Sequence, residues 1–158
     1  MTVLKETIEA LVPGKIFLET GTYLADTLRS AIAAGALAAY SCDISREHVD
    51  KYAGLNVSIQ DSPAWLAEML PRFAGQDLVI LLDAHTGTES PLLAELEVIG
   101  NREYTTILID DWRYVVDKKM PWGFNEIAVL FLLGSCHCYL IDGETGEGVS
   151  KDVLVVEK

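Results

Sequence analysis

No stretch of this chain is both long and apolar enough to cross a bilayer, which takes about 20 consecutive apolar residues. The first dozen residues carry Glu6 and Glu9 and lack the apolar core of a signal segment. These absences lead to the expectation of a soluble, cytoplasmic protein with no membrane partner. Basic residues are scarce as well: 12 lysines and arginines stand against 24 acids, a formal net charge of −12. With no basic stripe to displace the counterions of a phosphate backbone, nucleic acid is not an expected partner. Cysteine is rare, and Cys42, Cys136 and Cys138 cannot all pair with one another. Cys136-His137-Cys138 holds part of a four-ligand zinc set and lacks the rest. In a strand the two thiols share one face and His137 takes the other, so they read as small buried thiols of a late strand. What remains is a chain of 158 residues, 50% of them hydrophobic, enough for one packed domain over residues 1–158.

The acids are not evenly scattered. Leu78 to Leu82 reads Leu-Val-Ile-Leu-Leu and stops at Asp83-Ala84-His85; Thr105 to Ile109 reads Thr-Thr-Ile-Leu-Ile and stops at Asp110-Asp111. Continuous apolar runs of this length mark strands buried on both faces of a parallel sheet. Ligands of open α/β sheets bind beyond the carboxyl ends of such strands. Two neighbouring strands, about 4.8 Å apart, would bring these carboxylates into one small volume, so Asp83, Asp110 and Asp111 form a candidate cation site.

The remaining pattern alternates strand and helix almost without linkers. A leading helix over Thr2 to Val12 is stopped by Pro13-Gly14, and Ile16 to Leu18 is a strand ending at Glu19. The next helix places Leu24, Leu28, Ala31 and Ile32 on one face, with Gly35 past its end. Leu37 to Cys42 is a strand ending at Asp43; Ser45 to Tyr52 is a short helix, and Leu55 to Ile59 a strand ending at Gln60-Asp61. Ser62-Pro63 and Ser90-Pro91 each open a helix, one burying Trp65, Leu66, Met69, Leu70 and Phe73, the other Leu92, Leu93, Leu96 and Ile99. After Asp111, the stretch from Trp112 to Gly123 reads as irregular, with Lys118-Lys119 solvated. A helix over Asn125 to Leu133, a strand near Cys138 to Ile141, a turn over Gly143 to Gly148 and a strand over Val153 to Val156 complete the chain. This order predicts an α/β fold: a Rossmann-like, doubly wound sheet of seven strands, mostly parallel, with one antiparallel strand near the C-terminus.

The first strand-helix turn reads Glu19-Thr20-Gly21-Thr22-Tyr23-Leu24-Ala25. It has one glycine where the dinucleotide fingerprint has three. Glu19 would repel a pyrophosphate brought to this turn, whereas the ammonium and sulfonium of S-adenosylmethionine suit it. Asp43 is placed to take the hydroxyls of a ribose, and Asp61-Ser62 can reach an adenine edge. The run Phe17-Leu18-Glu19-Thr20-Gly21-Thr22-Tyr23, with Asp43, Leu82-Asp83-Ala84-His85 and Leu108-Ile109-Asp110-Asp111-Trp112-Arg113, resembles class I S-adenosylmethionine-dependent methyltransferases. It is similar in particular to a group near the macrocin-type metal-dependent sugar O-methyltransferases. The resemblance spans roughly Ile16 to Arg113.

The resemblance implies a set of roles. The methionine end of the cofactor falls to Glu19 and Gly21, in the turn that also contains Thr22 and Tyr23; the ribose falls to Asp43, the adenine to Asp61 and Ser62, and magnesium to Asp83, Asp110 and Asp111. Ala25 departs from the pattern, because relatives usually carry a glycine there, and the chain is shorter than most sugar O-methyltransferases. With a metal fixing a small-molecule acceptor, His85 would take the proton from its hydroxyl while Asp83 holds the cation. The expected activity is therefore metal-assisted O-methylation of a small hydroxylated acceptor such as a sugar. Two further readings stay open: a nucleotide- or NAD-binding enzyme on the same fold, and a non-catalytic cofactor-binding subunit. Small sheets of this kind often leave an apolar helix or edge strand to a symmetric partner, which makes a homodimer a further expectation.

Overall fold

The computed structural model describes residues 3–117, 121–141 and 152–158. Among these, seven strands form one sheet: β1 (Ile16–Thr20), β2 (Ala38–Asp43), β3 (Val57–Ile59), β4 (Leu78–Leu82), β5 (Thr105–Ile109), β6 (His137–Ile141) and β7 (Val153–Glu157). The helices are α1 (Val3–Leu11), α2 (Asp26–Ala33), α3 (Arg46–Lys51), α4 (Ser62–Met69), α5 (Leu92–Ile99), α6 (Trp112–Val116) and α7 (Glu126–Leu133), with a 3₁₀ turn over Leu70–Phe73 after α4. The turn expected over Gly143 to Gly148 and the solvated Lys118-Lys119 lie outside the described residues.

The strand order is β3-β2-β1-β4-β5-β7-β6. β1 to β5 pair in parallel, and β7 runs antiparallel to both β5 and β6. The single antiparallel strand is thus the last one, wedged between two strands made earlier. Side chains alternate across the sheet, as the two-residue period requires. Ile16, Leu18, Leu78, Ile80, Leu82, Ile107 and Ile109 pack with Trp65, Leu66 and Met69 of α4, Leu92, Leu96 and Ile99 of α5, and Val129 and Leu133 of α7. Phe17, Val79, Leu81 and Leu108 pack on the other face with Leu4 and Ile8 of α1 and Leu28 and Ala31 of α2. Each large side chain fully buried here contributes about 1.5–3 kcal/mol. Helices on both faces explain why β4 and β5 can be apolar throughout.

Three expectations are corrected. Leu24 and Ile32, placed on the buried face of the second helix, are 50% and 48% exposed. The reason is the turn before α2: Tyr23 and Ala25 are left-handed, α2 starts only at Asp26, and Ala25, Leu28 and Ala31 take the buried side instead. The stretch after Asp111 is not wholly irregular, because Trp112–Val116 is helical and buries Trp112 and Val115. Cys136 and Cys138 are only partly buried, since β6 is an edge strand. Among the described residues, no helix is long and apolar enough to cross a membrane.

Candidate active site

The sheet order reverses at β1, whose neighbours are β2 and β4. A crevice opens at such a point beyond the strand ends. The ladder continues one step past the strands: Gly21 N donates to Cys42 O (2.9 Å), Asp83 N to Thr20 O (3.1 Å) and Asp110 N to Leu82 O (3.2 Å). Gly21, Asp43, Asp83 and Asp110 therefore stand in one row along the same rim. Gly21 has φ +86°, and a Cβ there would lie 2.5 Å from the Asp83 carbonyl oxygen. No other residue fits between the two strand ends.

Above this row lies a cleft of about 990 Å³, running from Gly21 and Tyr23 past Asp43, Asp61 and Ser62 to Asp83, His85, Glu89 and Trp122. Among the described residues, no lysine or arginine lines it. Asp43 is the best-organised acid of the wall: Oδ2 accepts from Tyr23 N (3.1 Å) and lies 3.0 Å from His48 Nδ1, while Oδ1 accepts from Ser45 N (2.8 Å). A carboxylate has about four acceptor sites, so capacity remains for a ligand hydroxyl.

Other predicted cofactor residues sit behind the wall. Glu19 is wholly buried; Ser41 Oγ donates to its Oε2 (2.7 Å) and Thr27 Oγ1 to its Oε1. Burial pushes its pKa up to about 8, against the opposing pull of the Ser41 hydroxyl. Thr22 is also buried, its Oγ1 lying 2.7 Å from Ser41 Oγ. Neither Glu19 nor Thr22 reaches the cleft surface, so both support the turn from below. Ser62 lies on the cleft wall, but it is 4% exposed, is the first residue of α4 rather than its cap, and bonds inward to Glu95. Ala25, at φ +57°, holds a left-handed conformation that disfavours every residue but glycine by about 1 kcal/mol. The turn keeps the shape that a glycine would supply.

Glu95 was not foreseen. It is 1% exposed, bonded to Ser62 and Thr20, and burial pushes its pKa up to about 7 against those two bonds. Its Oε1 has no hydrogen-bond partner, and it lines a second cavity of about 10 Å³ together with Asp83, His85 and Asp110. The signal was present in the spacing, since Leu92, Glu95, Leu96 and Ile99 share the buried face of α5.

The candidate ligand residues after β4 and β5, with Asp152 just before β7, divide into two groups that share Asp111. Ligand atoms of Asp83, His85 and Asp111 lie within 4.8 Å of one another, and so do those of Asp110, Asp111 and Asp152. His85 Nε2 lies 2.8 Å from Asp111 Oδ2 and 3.6 Å from Asp83 Oδ1, so the imidazole stands between two carboxylates. The bond to Asp111 holds the His85 pKa above its ordinary value against burial, and a backbone bond at Thr86 adds to it. Burial, then the charges of Asp110 and Asp111, push the Asp83 carboxyl well above the ordinary range. Arg113 answers part of this charge, with Nη2 3.3 Å from Asp111 Oδ1 and Nη1 3.0 Å from Asp152 Oδ2. Trp122 closes the far side: its ring lies 5.2 Å from the His85 ring, and its Nε1 donates to Thr86 O (3.2 Å).

No family model matches this chain, and no curated protein sequence matches it. Solved structures do. A SAM-dependent methyltransferase from Archaeoglobus fulgidus superposes with TM-score 0.63 at 11% identity, over 98% of this chain and 94% of its own. An O-methyltransferase from Bacillus cereus, solved with SAH, gives TM-score 0.63 at 17% identity, over 98% and 79%. A provisionally named SAM-dependent methyltransferase from Streptococcus mutans gives 0.59 at 15% identity; the chain spans 98% of itself but only 46% of that protein. Others of similar shape are named as methylases of ribosomal protein L11 and of rRNA. The fold is therefore that of the class I methyltransferases, a seven-stranded mixed sheet, and it is shared by proteins named for different acceptors.

Proposed function

We propose that the chain is an S-adenosylmethionine-dependent methyltransferase acting on a hydroxyl of a small acceptor such as a sugar. The observation that carries this reading is the cleft at the β1/β4 crevice, walled by Asp43, Asp61, Asp83 and Glu89, with no lysine or arginine among its described lining. A dinucleotide would bring a pyrophosphate into this field; S-adenosylmethionine brings a sulfonium and an ammonium. Asp43 holds the ribose with its remaining acceptor capacity, beside the backbone of Gly21 and Tyr23. Asp61 and the surface of Ser62 take the adenine end. Glu19 supports the turn from beneath, through its bonds with Ser41 and Thr27. The same acidity, with the formal charge of −12, disfavours a nucleic-acid acceptor.

The acceptor end lies between Asp83, His85 and Trp122. Asp83 and Asp111 offer carboxylate oxygens close together, and the charges of Asp110 and Asp111, which add to burial in raising the Asp83 pKa, are the field that a divalent cation relieves. These two residues, with Asp110 behind them, would hold such an ion, which would supply a lowered hydroxyl pKa on the acceptor. His85 accepts the acceptor proton in its neutral form, and Asp111 orients the ring. Positioning provides most of the remaining acceleration, because the methyl group is already activated on sulfur.

The test is calorimetric titration with S-adenosylhomocysteine, NAD and ATP, followed by a methyl-transfer assay on sugars and diols with and without magnesium. Binding of S-adenosylhomocysteine alone, and transfer that magnesium stimulates, support the reading. Binding of NAD or ATP in its place overturns it.

A further inference from the structure

Cys136-His137-Cys138 is the one motif of the sequence that the proposed function leaves unused. In the structure, Cys136 Sγ and Cys138 Sγ lie 3.1 Å apart, closer than two unbonded sulfurs ordinarily pack. Cys136 immediately precedes β6 and Cys138 is its second residue, while His137 between them pairs with Glu157 (3.0 Å). Both thiols are partly exposed, so a small reagent can reach them. Cys42, by contrast, is buried at 1% exposure. A disulfide needs sulfurs about 2.05 Å apart, so closing this pair takes a movement of only about 1 Å.

We propose that Cys136 and Cys138 form a reversible thiol–disulfide site, oxidised by a low-molecular-weight disulfide such as glutathione disulfide. In the first step the Cys136 thiolate attacks one sulfur of the reagent; a new S–S bond joins Cys136 to half of it, and the other half leaves as a thiolate. In the second, Cys138 loses its proton to solvent and displaces the remaining half. The protein gives up two electrons and two protons, and one reagent disulfide becomes two thiols. Burial and the neighbouring Cys136 push the Cys138 pKa up to about 12 while both thiols are reduced. The ring so formed spans a single intervening residue on an edge strand, the strained and accessible setting in which disulfides are readily reduced again.

The test uses the full chain, first reduced and then incubated with glutathione disulfide, read by intact mass and peptide mapping. The expected product is lighter by two hydrogens, the change maps to the tryptic peptide carrying both cysteines, and dithiothreitol reverses it. Cys42→Ser leaves the change intact. Cys136→Ser and Cys138→Ser each abolish it and leave a glutathione adduct on the surviving thiol. The proposal is overturned if the wild-type chain accumulates glutathione adducts at Cys136 or Cys138 without losing two hydrogens, or if both thiols stay open to iodoacetamide.

Discussion

Glu19→Gln should make the protein more stable at alkaline pH and leave it nearly unchanged in acid. Glu19 is fully buried, and burial outweighs the Ser41 hydroxyl to carry its pKa from the ordinary 4.5 to about 8. The sign follows from proton counting. Below about pH 4.5 the carboxyl is protonated in both the folded and unfolded chains, and its titration costs nothing. Between about 4.5 and 8 the unfolded chain releases the proton and the folded one keeps it, so stability falls by about 1.4 kcal/mol for each pH step. Above about pH 8 the loss levels off at roughly 5 kcal/mol. Glutamine has nearly the shape of the protonated acid and can still pair with the two hydroxyls, but it does not titrate. Urea denaturation of both proteins from about pH 5 to about pH 9 should therefore show a stability gap that widens with pH in favour of the variant. Glu95, raised to about 7, titrates in both proteins and cancels in the difference. A gap that stays constant across the range would refute the assignment of this cost to Glu19.

Further outcomes are expected at the site. Gly21→Ala forces a Cβ against the Asp83 carbonyl at φ +86°; it should cost roughly 3 kcal/mol by thermal melting and abolish S-adenosylhomocysteine binding by calorimetry. Asp43→Ala removes the acceptor for Tyr23 N, Ser45 N and the ribose, and should weaken S-adenosylhomocysteine binding roughly 10- to 100-fold. His85→Ala should lower turnover about 10²- to 10⁴-fold without changing that affinity. Because His85 holds its proton more tightly than usual, wild-type turnover should rise as pH climbs past the ordinary histidine value, and Asp111→Asn should move the rise to lower pH in a pH–rate profile.

How much of this was legible depended on whether a residue followed the common pattern for its type. β4 and β5 match their apolar runs residue for residue, because both faces of those strands are covered. β1 runs on through Glu19 and Thr20, whereas the apolar pattern ended at Leu18; a buried acid inside a strand is rare enough that Glu19 looked like the strand's end. α6 has only five residues, too few to show a helical period, and it follows Asp111 in a left-handed conformation. The rim position of Asp43 and Asp83 could be read from strand ends alone. Which way a side chain turns could not: Ser62 and Thr22 carry the same hydroxyl as many ligand-binding residues, yet both bond inward. The pairing of Asp111 with His85 depends on the packing of loops after two different strands, and local spacing does not encode it.

The position of β7 also bears on how the chain reaches this structure. β5 is an interior strand only because β7, from far along the sequence, lies against it, with Ile107 opposite Val156 and Leu108 opposite Val155. Until that strand arrives, β5 presents an open apolar edge, and such edges recruit other chains. Both the β1–β4 and the β5–β7 pairings join strands far apart in the sequence, so both are non-local and correspondingly slow. In a crowded solution, the interval before β7 docks is when this protein is most exposed to aggregation.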